Sequence, residues 1–351
     1  MDSQQFHHDV DKNKLIKIAV VSFDSLDDSL LYLLLAYNLQ QNGFDITYFG
    51  KVGHQLSEWI PSLRTLPCAE SDDMEMVLAD YHLVIKCPRK HVRNRLNKDA
   101  EYLVHLKSKY LLVCQKAPES WVYDHTQTLR SKLPSDLCES VQALAKSSGS
   151  IRFKPFKDES AVDILCTYMK EKMQLAVVSR QVAIMPPPHL KFRRFEKRII
   201  VSPDSAGPED KNWGQQQFLF LCRRLKCIGY QPVIVVSPAN YNEWQLLNRD
   251  EFELPLFNSI GDLAAFIFES ALMVANDSGN GHLASFLGVP VVTIYKKRNP
   301  KFHWRPDWST SKVVCPGLVI KLCNYRVWRP FVSTRQVLGA VSELLARYDK
   351  S

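Results

Sequence analysis

The chain has 351 residues, 46% of them hydrophobic and 23% charged, with a net charge of +8. That profile belongs to a globular protein long enough for two domains of ~100–200 residues each. No apolar run reaches the ~18–20 residues that cross a bilayer, and the start, Met1-Asp-Ser-Gln-Gln-Phe-His-His, lacks the apolar core of a signal peptide, so a cytoplasmic protein is expected.

The first predicted element is a strand over residues 15–22. A polar turn, Asp24-Ser-Leu-Asp-Asp28, leads into a helix over 29–41 that stops at Gly43, and a second strand covers 45–49. Strand, turn, helix, glycine, strand is a βαβ opening, which implies a parallel sheet. Residues 81–86 and 110–114 read as further strands. Three consecutive prolines in Met185-Pro-Pro-Pro-His-Leu cannot continue a helix or a central strand, so they mark a stiff linker. A second βαβ series follows: strand 198–202, helix 212–228 stopped by Gly229, and strands 231–237, 271–276 and 290–295, with a closing helix over 334–348. The reading is two successive Rossmann-like halves: an N-terminal domain over 1–184, a linker over 185–197, a C-terminal domain over 198–332, and a terminal segment over 333–351 expected to pack back on the N-terminal domain. Open parallel sheets bind ligands beyond the carboxyl ends of their strands, so a cleft between the halves is the expected site.

Nine scattered cysteines (68, 87, 114, 138, 166, 222, 227, 315 and 323) form no Cys-x-x-Cys pair. That pattern suits neither a zinc site nor a disulfide framework, and most sit in apolar company as reduced core residues. Two basic runs stand out. One holds Lys86, Arg89, Lys90, Arg93, Arg95, Lys98, Lys107, Lys109 and Lys116, and the other Lys191, Arg193, Arg194, Lys197 and Arg198. Three readings apply: a solvated face, attraction to anionic lipid, or nucleic acid. No nucleic-acid-binding motif accompanies them, which sets nucleic acid aside.

Chemistry concentrates at Asp277-Ser278-Gly279-Asn280-Gly281, between a buried strand and a helix expected over 282–287. Two glycines in three residues let backbone N–H groups approach a ligand, and a helix N-terminus adds positive potential, an arrangement suited to a diphosphate. The plain alternative is that Asp277 and Ser278 are only helix caps. Neither a P-loop nor a Gly-x-Gly-x-x-Gly fingerprint is present. An Asp-x-Asp occurs only at Asp9-Val-Asp11, outside any strand context.

The longer string Asn276-Asp-Ser-Gly-Asn-Gly-His-Leu-Ala-Ser-Phe-Leu-Gly-Val-Pro290 resembles the Asp-(Ser/Thr)-Gly-x-x-His-(Leu/Ile)-Ala-x-x-x-Gly-x-Pro signature of glycosyltransferase family 9, the ADP-heptose:lipopolysaccharide heptosyltransferases. The resemblance implies a GT-B fold, two Rossmann-like domains facing across a cleft, and an inverting transfer from an ADP-sugar to a lipopolysaccharide core acceptor without cofactor or metal. By the same resemblance Asp277 contacts sugar hydroxyls, the Ser278, Gly279 and Asn280 amides hold the diphosphate, and His282 belongs to the site. Lys211-Asn-Trp213 matches the family's phosphate-binding Lys with its following Trp, Ser205 lies near its phosphate-touching hydroxyls, and Glu243 is the candidate for the nucleoside. Asp28 takes the place of the family's general base, with Asp27 where glycine is usual. Lys296, Lys297 and Arg298 replace a neutral turn and are candidate phosphate contacts. The implied partners are the nucleotide-sugar donor, a lipid-linked glycan acceptor and the anionic cytoplasmic face of the inner membrane, with no nucleic acid. Residues from about 50 to 188 resemble nothing further. Three rivals stand beside this reading: a GT-B transferase with another donor acting on a capsule or protein glycan, a nucleotide-sugar 2-epimerase, and an inactive homologue that binds nucleotide sugar.

Overall fold

A computed structural model describes residues 16–22, 25–68, 71–88, 99–205, 209–297, 305–322 and 325–348. The chain divides into two compact units, Met1–Met185 and Pro186–Ser351. The break falls at the proline triplet, where missing amide donors and restricted φ stop either unit's hydrogen-bond pattern from running on.

The first unit is built from β1 (Lys17–Val21), α1 (Leu26–Gln41), β2 (Asp45–Phe49), β3 (Arg64–Leu66), α2 (Ser71–Ala79), β4 (Leu83–Lys86), α3 (Ala100–Lys109), β5 (Leu111–Cys114), β6 (Gly149–Ser150) and α4 (Ala161–Glu171), with several short helical turns between them. Its six strands are parallel in the order β3-β2-β1-β4-β5-β6. Ile18, Ala19, Val20, Ile85, Leu111, Leu112, Val113 and Cys114 are fully buried, as expected of a parallel sheet covered on both faces. α1 starts three residues before its expected first residue because Ser25 caps it, accepting the Asp28 amide at 3.5 Å. It ends at Gly43, whose φ of +90° suits the left-handed turn after a helix. Further along α1, Asn38 and Asn42 bind the main chain of Ser179 and Val177, fastening the unit's last segment to its first helix.

The second unit contains β7 (Phe195–Ser202), α5 (Gln215–Cys227), β8 (Gln231–Ile234), α6 (Tyr241–Asn248), α7 (Ile260–Phe268), β9 (Ser270–Asn276), α8 (Gly279–Phe286), β10 (Val291–Ile294), β11 (Ser311–Val314), the hairpin β12 (Ile320–Leu322) and β13 (Tyr325–Val327), and α9 (Thr334–Tyr348). Five parallel strands run in the order β11-β10-β9-β7-β8. Trp213, Phe218, Trp244 and Trp328 fill the core beside one face of this sheet. Val337, Ala340, Val341, Leu344 and Leu345 of α9 join the same cluster. The terminal helix was expected on the N-terminal domain; instead its apolar face packs in the core of the second unit, against α5 and strands β9 to β11. Two loop-rich additions were not foreseen, the edge strand β11 and the β12–β13 hairpin.

Most cysteines are buried, as expected, and burial pushes the Cys166 thiol up to about 11 and the Cys222 thiol up to about 12, values that leave them inert near neutrality. Cys227 departs from the expectation: it ends α5 exposed. Cys323 lies outside the described residues. Among the described residues no helix is long and apolar enough to cross a membrane.

Candidate active site

In each sheet the chain runs outward from a central strand, then returns to pair on that strand's other side. The first unit has this switch between β1 and β4, the second between β7 and β9. The carboxyl ends flanking a switch diverge and leave a crevice, which is where such sheets hold ligands.

In the second unit the loops leaving β7 and β9 are tied together across that crevice. The Lys211 ammonium meets the Asp277 carboxylate at 2.8 Å, with side chains 34% and 16% exposed, so the pair is partly shielded from water. Beneath it Asn276, fully buried as the last residue of β9, accepts the Trp213 amide at 3.0 Å and donates to the Pro203 carbonyl. Asn280 donates to the Ser202 hydroxyl at 3.0 Å. The Ser205 hydroxyl donates to Asn212 at 2.6 Å. Trp213 itself is pinned under this layer, its indole N–H on the Val332 carbonyl at 3.2 Å and its ring edge-on to Phe218. The expected donor residues Ser205, Lys211, Asp277 and Asn280 therefore fall into one connected layer, with Asn276 and Ser202 as members that sequence reasoning missed. Asn276 was signalled by its position alone, a polar residue directly after the apolar run Ala271-Leu-Met-Val-Ala275.

α8 begins at Gly279, three residues earlier than expected, so the amides of Gly279, Asn280 and Gly281 belong to a helix's first turn and have no intrahelical acceptor. The capping explanation of Asp277 and Ser278 does not hold. Ser278 sits at the N-cap position but makes no capping bond, and its buried hydroxyl has no hydrogen-bond partner among the described residues. Asp277 is engaged with Lys211 instead. His282 is buried on α8, its ring edge-on to Trp308 with centroids 6.1 Å apart.

Lys296, at the end of β10, bonds the Asp210 carboxylate, whose own carbonyl accepts the Trp328 indole N–H at 2.9 Å. Its charge is thus balanced by a carboxylate one residue before Lys211. Lys297 is exposed, and Arg298 lies outside the described residues. Glu243 is exposed on α6 and accepts from Gln215 at 2.5 Å; among the described residues no bond ties it to the Lys211–Asp277 layer. Asp204 does reach the loop after β8, accepting the Ser237 amide at 2.8 Å and hydroxyl at 3.1 Å.

In the first unit Asp28 stands in the first turn of α1, just past the end of β1. Gln115, the residue after β5, donates its side-chain amide to Asp28 Oδ1 at 3.0 Å. Ser25 bonds the carboxylate of Asp27 and lies 3.4 Å from Asp28 Oδ2.

Several described residues of the basic runs make local ties. Arg198 donates to the Ser270 hydroxyl at 2.8 Å and the Phe266 carbonyl at 3.1 Å, and stacks on Phe195 and Phe266; Arg193 donates to Ala271, and Arg194 faces Glu269. In the first run Lys86 lies over the Tyr110 ring, Lys107 bonds the Ser120 carbonyl and Lys109 pairs with Glu75, while Arg89, Lys90, Arg93, Arg95 and Lys98 lie outside the described residues.

Residues 159–319 match the family model described as glycosyltransferase family 9 (heptosyltransferase). No curated protein sequence matches the chain. Solved structures match over nearly its whole length. The glycosyl transferase family 9 protein of Veillonella parvula DSM 2008 does so at 19% identity and a TM-score of 0.64, covering 96% of this chain and 99% of that one. E. coli heptosyltransferase WaaC with ADP gives 16% identity and a TM-score of 0.59 over 93% of this chain and 99% of that one. E. coli ADP-heptose lps heptosyltransferase II gives 17% and 0.59 over 95% and 100%. These likenesses span both units and give the GT-B fold. Beyond the fold, the segment that carries the Lys211–Asp277 layer and α8 is the part of the chain similar to glycosyltransferase family 9, the heptosyltransferases.

Proposed function

We propose that the enzyme moves a heptose or related sugar, with inversion, from an ADP-sugar to a hydroxyl of a lipopolysaccharide core acceptor. The observation that carries this reading is the layer at the β7–β9 switch, where Lys211, Asp277 and the first turn of α8 converge. A leaving nucleoside diphosphate needs fixed positive potential, and an ammonium beside a helix N-terminus supplies it in a partly shielded site. In this reading the diphosphate takes Lys211 from Asp277. That releases the carboxylate to accept hydrogen bonds from sugar hydroxyls, so the ion pair is exchanged as the donor enters. The Ser278 hydroxyl and the amides of Ser278, Gly279 and Asn280 supply further donors, Ser205 and His282 line the same subsite, and Lys296 with Lys297 flanks it. Glu243 or Asp204 serves the nucleoside. Asp28 is the general base that takes the proton of the acceptor hydroxyl, a role a single carboxylate suffices for in a one-step inverting displacement. The diphosphate side of the reading is met by these groups, with no metal or cofactor called on. The proposed setting is the cytoplasmic face of the inner membrane, where such a lipid-linked acceptor would be met.

Support for the donor class comes from E. coli WaaC, solved with ADP and with ADP-2-deoxy-2-fluoro heptose. The test is hydrolysis of ADP-heptose and of UDP-sugars measured side by side on the full chain. Release of ADP from ADP-heptose at a rate above that for every UDP-sugar is the expected result. Preference for a UDP-sugar would move the enzyme to another donor, and binding without release from any of them would mark an inactive homologue.

A further inference from the structure

Asp28 does not stand alone at the end of the first sheet. The chain leaving β5 and the chain leaving β6 continue side by side past their named strands. The Ile151 amide donates to the Cys114 carbonyl at 2.8 Å and the Arg152 amide to the Gln115 carbonyl at 3.2 Å, while the Ser150 hydroxyl donates to that same carbonyl at 3.1 Å. Gln115 therefore has its backbone fixed by two donors from the neighbouring strand, and its side chain extends back to Asp28 Oδ1 at 3.0 Å. An ionised carboxylate only accepts hydrogen bonds, so the amide must present its NH2 group there.

We propose that Gln115 is a positioning residue for the transfer: its amide holds the Asp28 carboxylate ionised and fixes the plane in which it meets the acceptor hydroxyl. This rests on the general-base reading of Asp28. A donor to the charged form of a carboxylate favours that form, and fixing one oxygen fixes the orientation of the other. Ser25 lies 3.4 Å from the carboxylate's other oxygen, Oδ2, and the Gln115 amide is the donor at Oδ1. Asp27 shares the turn and carries like charge. Tyr32, one turn along α1, gives its hydroxyl hydrogen to the Val113 carbonyl at 2.7 Å, and its phenol is held well above its ordinary value by burial, with Cys87 and Cys114 beside it. Arg152 approaches through its main-chain N–H on Gln115. Lys116 follows Gln115 exposed.

Two substitutions of similar size separate this role from plain packing. Gln115→Met removes the donor and keeps the bulk; Gln115→Glu places a second carboxylate where the donor was. The experiment follows the Asp28 carboxyl carbon by NMR across pH in the full chain labelled at aspartate, with the resonance assigned by its loss in Asp28→Asn. Hydrolysis of ADP-heptose is measured on the same samples. The expected result is an Asp28 midpoint that moves up by about one to two pH units in Gln115→Met and further in Gln115→Glu. The acid limb of the activity profile moves with it, kcat falls about tenfold to a hundredfold, and the ADP dissociation constant stays as in the wild type. Gln115→Asn, which keeps a shorter amide, falls between. An Asp28 midpoint unchanged in both Met and Glu variants, or equal losses of activity with no shift of the acid limb, overturns the proposal. The carboxyl titration needs no turnover, so it judges Gln115 even if ADP-heptose proves the wrong donor. Full activity of Asp28→Asn would strike the general-base reading itself.

Discussion

At the scale of single residues the proposed donor site works by exchange: Lys211 and Asp277 are paired with each other at 2.8 Å, and the proposal has the diphosphate take Lys211 from that pair. Lys211→Ala should weaken ADP binding by about tenfold to a hundredfold, the scale of a charge-assisted bond; calorimetry with ADP measures it, and an unaltered dissociation constant would remove Lys211 from the phosphate. Asp28→Asn should instead lower turnover by about 2–4 orders of magnitude while ADP binding survives. Side-by-side calorimetry and ADP-release rates separate the two variants, since one moves affinity and the other moves rate. The residue-level contrast also shows what the sequence revealed. Asp277, Lys211, Asn280 and Ser205 were legible from a spaced motif and a Lys-x-Trp pair. Asn276 showed only as a polar residue closing an apolar run, and Gln115 not at all, because their importance lies in whom they touch 63 and 87 residues away in the chain.

At the scale of elements the loops depend on what lies beneath them. Asn276 is fully buried and bridges Trp213 and Pro203, so Asn276→Ala leaves an amide and a carbonyl without partners in a dry layer. The expected cost is about 1–3 kcal/mol for each group left unsatisfied, together with weaker ADP binding as the Lys211 loop loosens. Urea unfolding and calorimetry on the same variant check both parts, and weaker ADP binding at unchanged stability would confine Asn276 to the ligand. Leu344→Ala on α9 tests packing alone: a fully buried leucine in the second unit's core should cost about 2–5 kcal/mol with ADP affinity preserved where the protein stays folded. Element boundaries were partly legible. The apolar strands and the glycine-stopped helices α1 and α5 came out within a few residues. The start of α8 did not, because Gly279 and Gly281 read as a loop by propensity, whereas the surrounding core holds them helical. β6 and β11 escaped for the same reason in reverse: they are short and are defined by pairing, whereas α4 was passed over although Ser160 and Asp163 form a capping box at its start. The destination of α9 could not be read at all, since its apolar stripe states only that the helix packs, not on which unit.

At the scale of the whole molecule the first unit carries its own response to acid. Two histidines of the first unit are held below the ordinary value of about 6.5. Burial is the main cause for both, and nearby lysines add to it: Lys132 at His125, Lys17 and Lys132 at His82. His82 also accepts the Lys17 amide at 2.9 Å through Nδ1, a bond that joins the starts of β1 and β4 and that protonation at that nitrogen would break. With folded values depressed, the unfolded chain binds more protons between the folded value and about 6.5, so stability rises with pH through that window. The contribution is complete above about pH 6.5 and is lost as pH falls through the folded values. The first unit should therefore lose stability on acidification from pH 7 to 5, and with it the Asp28–Gln115 pair. Amide hydrogen exchange followed across that range is the measurement, with protection in β1, β4 and β5 expected to fall. His82→Asn combined with His125→Asn should flatten the loss in the first unit, because an asparagine side chain at the first position keeps an acceptor for the Lys17 amide without a site that titrates. A loss of protection undiminished in the double variant would place the acid sensitivity elsewhere, most directly in carboxylates such as Glu75, which Lys109 holds below its usual range.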